Sequence, residues 1–267
     1  MEQRKRVVLK FGGASVASVE QFAHIAEIIY NRSQEMDVVV VVSAMGDTTD
    51  QLLSMARRVH PSPPLRELDM LVSVGERVSI ALLAMALHLK NKDAISFTGS
   101  QSGIITTTAH SEARIVDVKP FRIIRELEKG KVVIVAGFQG VSQEGEITTL
   151  GRGGSDTTAV ALAVALGASH VEFYKDVEGI YSEDPKKNSE AVKYQYLNFK
   201  EALSIAEGGA KVLHARGISL AQKNALPLHV LSFADPGCEK GPGTMIGSKE
   251  LVSIPARKSY EMEQTPS

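Results

Sequence analysis

Tryptophan is missing from this chain, and cysteine occurs once, at Cys238. A lone cysteine forms no intrachain disulfide and excludes zinc sites built on two or four cysteines. Neither sign of charge dominates. Lys and Arg number 30 against 31 Asp and Glu, a net charge of -1, whereas a non-specific nucleic-acid binder needs a basic excess. A local basic pocket for a small anion is still allowed. The valine run Val38–Val42 is far shorter than the ~20 apolar residues of a membrane span. The charged start (Glu2, Arg4, Lys5, Arg6) runs into a short apolar segment without the core of a signal peptide. The expectation is a cytoplasmic, reduced protein that binds neither nucleic acid nor membrane.

What is present is ordinary for a globular chain: 43% hydrophobic and 23% charged residues. At about 150 residues per domain, 267 residues make one large domain or two lobes. A chain of this size buries about 75% of its unfolded surface and needs no staple.

Strand and helix patterns alternate along the chain. Val7–Phe11 reads as a buried strand broken by Gly12 and Gly13, and a helix capped at Ser15 or Ser18 runs to about Asn31. Asp37–Ser43 is the clearest strand, because its β-branched valines suit a sheet covered on both faces. Helices are expected over Thr48–Val59, Glu67–Leu89 (with a break near Gly75), Pro120–Gly130, Thr157–Leu166, Asn198–Ala206 and Lys211–Asn224. Strands are expected at Ala94–Thr98, Ile104–Thr107, Lys131–Gly137, Val171–Tyr174 and Leu228–Ser232, with a hairpin or loop tip at Glu144–Glu146. Asp176–Asn188 reads as a loop. A short strand and a polar tail from Ala256 to Ser267, expected to be mobile, close the chain. Strands alternating with helices of 10–15 residues predict an α/β fold on a largely parallel sheet. A soft lobe boundary is expected between Gly137 and Gly153.

Five segments carry polar or glycine-rich chemistry. Lys10-Phe-Gly-Gly13 ends the first strand. Glycines there open backbone N–H groups to a phosphate, the following helix start adds partial positive charge, and Lys10 adds a full one. It is not a Walker A loop, and a plain strand-to-helix turn explains the glycines equally well. Ser43-Ala-Met-Gly-Asp-Thr-Thr-Asp50 follows the valine strand, where open parallel sheets bind ligands. Helix capping by Asp47 or Thr48 is the alternative. Gly75-Glu76-Arg77 holds either an exposed ion pair or a buried carboxylate aimed at an ammonium group. Thr148-Thr-Leu-Gly-Arg-Gly-Gly-Ser-Asp-Thr-Thr158 is the strongest segment. Three glycines surround Arg152, which forks a carboxylate or phosphate, and Asp156 opens a helix. Such density favours a ligand site over a structural turn. Tyr174-Lys-Asp-Val-Glu-Gly-Ile-Tyr181 leaves another apolar strand. Tyr181 stacks on a base or packs, and Lys211 further on reaches phosphate or stays solvated. No H-E-x-x-H, G-x-S-x-G or C-x-x-C occurs, and the seven histidines show no ligand spacing.

Taken in order, these segments resemble the aspartokinase family of the amino acid kinase superfamily. The likeness runs from about Val7 to Gly247. It also covers Lys10-Phe-Gly-Gly-Ala-Ser-Val16, Ser96-Phe-Thr-Gly-Ser-Gln101, Ala113-Arg-Ile-Val-Asp117, Ala136-Gly-Phe-Gln-Gly140, Gly151-Arg-Gly-Gly-Ser-Asp156 and Pro242-Gly-Thr244. The resemblance implies a three-layer α/β/α sandwich with a mainly parallel central sheet, the amino acid kinase or carbamate kinase-like fold. It implies a kinase domain over residues 1–255, with aspartate toward residues 1–140 and ATP toward residues 141–255. The implied reaction moves the γ-phosphoryl of ATP, with Mg2+, to the side-chain carboxylate of L-aspartate. That step opens lysine, threonine and methionine synthesis.

The roles implied by resemblance are these. Lys10 stabilises the transferring phosphoryl with N–H groups of Gly12 and Gly13, and Asp156 orients Lys10. Arg152 forks the aspartate α-carboxylate, Glu76 faces the α-ammonium, and Ser43, Thr49 and Ser155 hold remaining substrate atoms. Tyr174, Lys175, Asp176, Tyr181, Lys186 and Lys211 line the nucleotide site. No resident protein-bound metal is expected. The chain departs from the family pattern at Ala14, where a Thr is usual, and at Lys175 and Lys186, where Thr or Ser and Arg are usual. No pair of ACT regulatory domains follows within the 267 residues, so the expectation is a kinase not inhibited by lysine or threonine on its own. A homo-oligomer or a partner subunit fits this reading. A kinase of the same superfamily with another acceptor, and a non-catalytic subunit of kinase fold, are the alternatives.

Overall fold

A computed structural model of the chain describes residues 4–185, 187–188, 190–210, 212–234, 242–248 and 258–262. Lys186, Lys211 and Cys238 lie outside the described residues. Strand β1 (Arg6–Phe11) turns through a 3-10 segment at Gly13–Val16 into α1 (Val19–Glu35), where Ser18 and Gln21 close a capping box. Next come β2 (Asp37–Val42), α2 (Thr48–Val59), α3 (Leu65–Val72), α4 (Val74–Leu89) and β3 (Ala94–Phe97). They are followed by β4 (Ile104–Thr106), β5 (Ile115–Val118), α5 (Phe121–Leu127), β6 (Val132–Ala136), and the hairpin of β7 (Gln139–Ser142) and β8 (Ile147–Thr149). The rest comprises α6 (Gly154–Leu166), β9 (Val171–Lys175), β10 (Ile180–Tyr181), β11 (Lys193–Tyr194), β12 (Tyr196–Asn198), α7 (Phe199–Glu207), α8 (Ala215–Lys223), β13 (Leu228–Ser232) and β14 (Thr244–Gly247).

Eight strands form one sheet in the order β12-β14-β13-β9-β1-β2-β6-β3. Its pairs are parallel except β13 with β14. The valines of β2 sort by the two-residue period of a strand. Val39 and Val41 join one core with residues of α5, α6, α7 and α8, whereas Val38, Val40 and Val42 join a second core with α1 and α4. The fold is therefore the three-layer α/β/α sandwich. Helix α6 buries every residue but Ser155, as suits a helix that is apolar all round. A four-stranded sheet, β5-β4-β7-β8, supplies a separate surface that the alternating pattern did not reveal.

The break expected near Gly75 in the helix over Glu67–Leu89 falls at Ser73, between α3 and α4. Gln139 Nε2 donates to the Ser73 carbonyl at 2.9 Å and ties this junction to β7. The stretch Leu65–Leu89 is long and apolar enough, by length and composition alone, to cross a membrane; here Ile80, Leu83 and Leu87 of α4 are buried on the sheet. Two further expectations change. Residues 176–188 contain β10, which pairs with β11. Of the tail, residues 258–262 are docked: Asn224 Nδ2 donates to the Ser259 carbonyl at 2.8 Å, and Arg216 pairs with Glu261 at 2.7 Å.

Candidate active site

The same two-residue period places the charges of the site. In β1, Val8 faces the α6 core, while Val7, Leu9 and Phe11 face α1. Lys10 thus falls on the α6 side, 5% exposed. A buried ammonium requires a partner, and the first turn of α6 supplies one: Lys10 Nζ lies 2.7 Å from Asp156 Oδ1. Strand β9 pairs with β1 in parallel and repeats the arrangement. Phe173 belongs to the α6 core and Tyr174 to the α1 core, so Lys175 returns to the α6 side. Its Nζ stands 3.6 Å from Asp156 Oδ2. The His214 N–H also points at Oδ2, at 3.4 Å. Burial alone raises the Asp156 carboxyl, but the ammonium groups of Lys10 and Lys175 outweigh burial and hold it well below the usual carboxylate range. Lys175 is pushed down to about 8, first by burial and then by the repulsion of Lys10, against the attraction of Asp156.

Lys10 and Asp156 line a cavity of about 570 Å³ at the carboxyl ends of β1 and β2. Ser43, Thr49 and Glu76 come to it from the first half of the chain, and Arg152 and Ser155 from the loop and first turn of α6. Gly13 lines it as well, while Gly12 lies against Lys10, since a Cβ there would stand 3.4 Å from Nζ.

Glu76 reaches this cavity because Gly75 lets α4 approach the loop after β2. A Cβ on Gly75 would come within 2.7 Å of the Ala44 Cβ. The Ala44 N–H donates to Glu76 Oε1 at 3.1 Å. Glu76 Oε2 is buried with no hydrogen-bond partner among the described residues. Burial pushes this carboxyl up to about 7, against the opposing pull of backbone N–H groups and Lys10. Arg152 is exposed at the cavity mouth and has no ion pair among the described residues. The loop that carries it depends on left-handed glycines. Gly151 (φ 70°) and Gly153 (φ 73°) flank it, and a Cβ on Gly153 would lie 2.1 Å from His214 Cγ.

Sequence reasoning missed the support of this wall. Asp69 of α3 is fully buried. It accepts hydrogen bonds from Thr149 Oγ1 at 2.6 Å, Thr149 N at 3.1 Å, Ser111 N at 3.0 Å and His110 Nδ1 at 2.8 Å. Thr149 and Ser111 line the cavity. The available signal was a charge on the apolar face that Leu68, Asp69 and Val72 share at helical spacing.

A second cavity, of about 670 Å³, opens beyond β9 and is lined by Lys175, Asp176 and Tyr181. The pair between Asp156 and Lys175 stands between the two cavities. Tyr174 is not part of either. Strand alternation turns it to the α1 face, where its ring stacks on Phe11 at 4.8 Å and its hydroxyl donates to Glu172 at 3.0 Å. On that face Tyr174 lines a smaller cavity with His24, Glu27 and Arg32, apart from the two above. Among the described residues no three His, Cys, Asp or Glu side chains gather to hold a metal.

Comparison with known proteins gives concordant results. The model of the amino acid kinase family matches residues 5–232. An aspartokinase of Mycobacterium bovis is 54% identical over 243 residues, covering 90% of this chain and 56% of that protein. The crystal structure of aspartate kinase from Synechocystis superposes with a TM-score of 0.81 at 42% identity, over 93% of this chain and 40% of that one. The structure of E. coli aspartokinase III in complex with aspartate and ADP superposes with a TM-score of 0.80 at 28% identity, over 92% of this chain and 65% of that one. The chain spans little more than half the length of the curated relatives it matches.

Proposed function

The chain belongs to the amino acid kinase family, and from that premise we propose that it transfers the γ-phosphoryl group of ATP to the side-chain carboxylate of L-aspartate. One observation carries the choice of acceptor. Glu76 Oε2, a buried carboxylate oxygen with no hydrogen-bond partner among the described residues, shares a cavity with Arg152, which has no ion pair among them, and with Lys10. An α-amino acid offers an ammonium to the first, an α-carboxylate to the second and a reacting group toward the third. Aspartate kinases among the relatives support the same acceptor.

In this reading Glu76 holds the α-ammonium and Arg152 forks the α-carboxylate. Ser43, Thr49 and Ser155 hold remaining polar atoms of the acceptor. The acceptor carboxylate is ionised at neutral pH, so attack needs no general base. An oxygen of that carboxylate bonds to the γ-phosphorus while the bond from phosphorus to the β–γ bridging oxygen breaks, and ADP leaves with that electron pair. Lys10 and the N–H groups of Gly12 and Gly13 neutralise the equatorial oxygens, and Asp156 keeps Lys10 in place. Lys175, Asp176 and Tyr181 receive the nucleotide in the second cavity. Lys186 and Lys211 belong to the same proposal from outside the described residues. Mg2+ would enter with the nucleotide as part of the substrate MgATP and neutralise phosphate charge. The second cavity is lined wholly by residues beyond 174, which supports an ATP side within residues 141–255. The acceptor cavity draws on both halves.

The test is hydroxamate trapping of the acyl phosphate with ATP, Mg2+ and, in turn, aspartate, glutamate and N-acetylglutamate. Trapping with aspartate, and a loss of kcat of about a thousandfold or more in a folded Lys10→Ala variant, is expected. Preference for N-acetylglutamate, whose nitrogen bears no charge, would overturn the reading of Glu76.

A further inference from the structure

Arg216, in the first turn of α8, ties three segments of the chain together. Its Nη1 donates to the Leu150 carbonyl, and its Nη2 donates to the Ala113 carbonyl at 3.2 Å. The guanidinium also faces the tail. Nε lies 2.8 Å from Glu261 Oε1 and Nη2 lies 3.0 Å from Oε2, the paired geometry of a fork on a carboxylate. The Glu261 side chain is only 9% exposed. Its Oε2 accepts from the Ile115 N–H at 2.8 Å, and Arg114 Nη1 stands 3.5 Å from Oε1. The Glu261 N–H in turn donates to the Ile115 carbonyl at 3.1 Å. Strand β5 is an outer strand of the four-stranded sheet, so the tail covers backbone groups that an edge leaves open. Neither Arg216 nor Glu261 lines the acceptor cavity or the second cavity.

Leu150 is fully buried and stands two residues before Arg152. Arg152 is exposed between the left-handed Gly151 and Gly153, with no ion pair among the described residues, so its place depends on the anchors at the two ends of its loop. Both come from the start of α8. His214 packs against Gly153, and Arg216 holds the Leu150 carbonyl. We propose that Glu261 and Arg216 are positioning residues for Arg152. Residues 258–262 act as a strap: Glu261 fixes Arg216, Arg216 fixes Leu150, and the loop then presents the Arg152 fork to the α-carboxylate of the acceptor. The inference rests on the proposed kinase reading and extends it to residues outside both cavities. Without Glu261 the guanidinium keeps only carbonyl partners. A partly buried cation deprived of its carboxylate turns toward water, which releases Leu150. Docking of the strap and binding of the acceptor are thereby linked, and the linkage is reciprocal: an acceptor held by Arg152 also favours the docked strap.

The experiment uses the full chain and compares it with Glu261→Gln, which keeps the shape of the side chain and removes its charge. Initial rates are measured against aspartate and against MgATP, and amide hydrogen exchange is followed by mass spectrometry. Glu261→Gln is expected to raise the KM for aspartate about 5–30-fold and to leave the KM for ATP within about threefold. A role confined to stability lowers the amount of active protein and leaves both KM values unchanged; that result overturns the proposal. In an Arg152→Ala background, Glu261→Gln is expected to change kcat/KM for aspartate by less than about twofold, because the group it positions is gone, and an undiminished effect there overturns the proposal as well. Without ligand, peptides covering residues 149–154 are expected to exchange faster in Glu261→Gln than in the unsubstituted chain. In the unsubstituted chain, saturating aspartate is expected to slow exchange over residues 258–262. Unchanged exchange in either comparison overturns the proposal, and the second decides should Glu261→Gln fail to fold. The first comparison needs no substrate. Failure to phosphorylate aspartate therefore counts against the kinase reading, and unchanged exchange over residues 149–154 against the strap.

Discussion

Asp69 and Glu76 are seven residues apart on consecutive helices, and both carboxylates are buried. Their surroundings differ. Asp69 accepts from Thr149, Ser111 and His110, so that both its oxygens are occupied by the fold. Glu76 has one backbone N–H on Oε1 and nothing on Oε2 among the described residues. A buried polar group whose partners are all supplied by the chain builds the structure. The open oxygen of Glu76 belongs to a side chain that lines the cavity, where a ligand is able to satisfy it. The contrast extends to the cations: Lys10 is occupied by Asp156 and is nonetheless aimed into the cavity, and Arg152 has no ion pair among the described residues.

The contrast is broken most severely at Asp69. Asp69→Ala strands donors from three residues and is expected to cost about 3–5 kcal/mol of stability, read by urea unfolding. Loss of less than about 1 kcal/mol would mean that the cluster is not the clamp described here. Glu76→Gln, by contrast, leaves the fold as stable or more stable at pH 8 and is expected to raise the KM for aspartate about 10–100-fold, with the KM for ATP little changed.

The pH dependence sharpens the same difference. Burial raises the Glu76 carboxyl from about 4.5 to about 7 in the folded chain. Between those values the folded state binds more protons than the unfolded state, so this group's contribution to stability falls as pH rises through that window. Aspartate binding favours the ionised form, so kcat/KM for aspartate rises with pH through about 7 and a proton is released on binding below it. In Glu76→Gln both dependences are expected to vanish; a persistent rise in kcat/KM would assign it to another group. The smallest effect belongs to an exposed pair. Arg66 of α3 meets Glu146 at the β7–β8 turn at 2.9 Å, both partners largely exposed, and Arg66→Ala is expected to leave the thermal unfolding midpoint nearly unchanged.

Much of this was legible in the amino-acid order. The valines of β2 and the alternation of strands with helices announced the layered sheet, and glycines around Arg152 announced the loop that opens α6. Lys10, Arg152, Asp156 and Glu76 were recognisable because charges at strand ends or beside glycines seldom serve packing alone. The second sheet was legible only in its parts: the strand at Ile104–Thr107 and the hairpin tip at Glu144–Glu146 were expected, but the pairing of β4 with β7 joins segments distant in the chain. Tyr174 was placed by motif proximity alone, whereas strand parity sends its side chain to the face opposite Phe173 and Lys175. Asp69 was passed over because its role depends on Ser111 and Thr149, some 40 and 80 residues away along the chain.

The most direct measurement compares binding of L-aspartate with that of succinate, which lacks only the ammonium, by calorimetry in the presence of ADP at pH 8. The unsubstituted chain is expected to prefer aspartate by about tenfold or more, and Glu76→Gln to bind the two nearly alike. A preference for aspartate that survives intact in Glu76→Gln would contradict the assignment of the vacant Oε2 to the substrate ammonium.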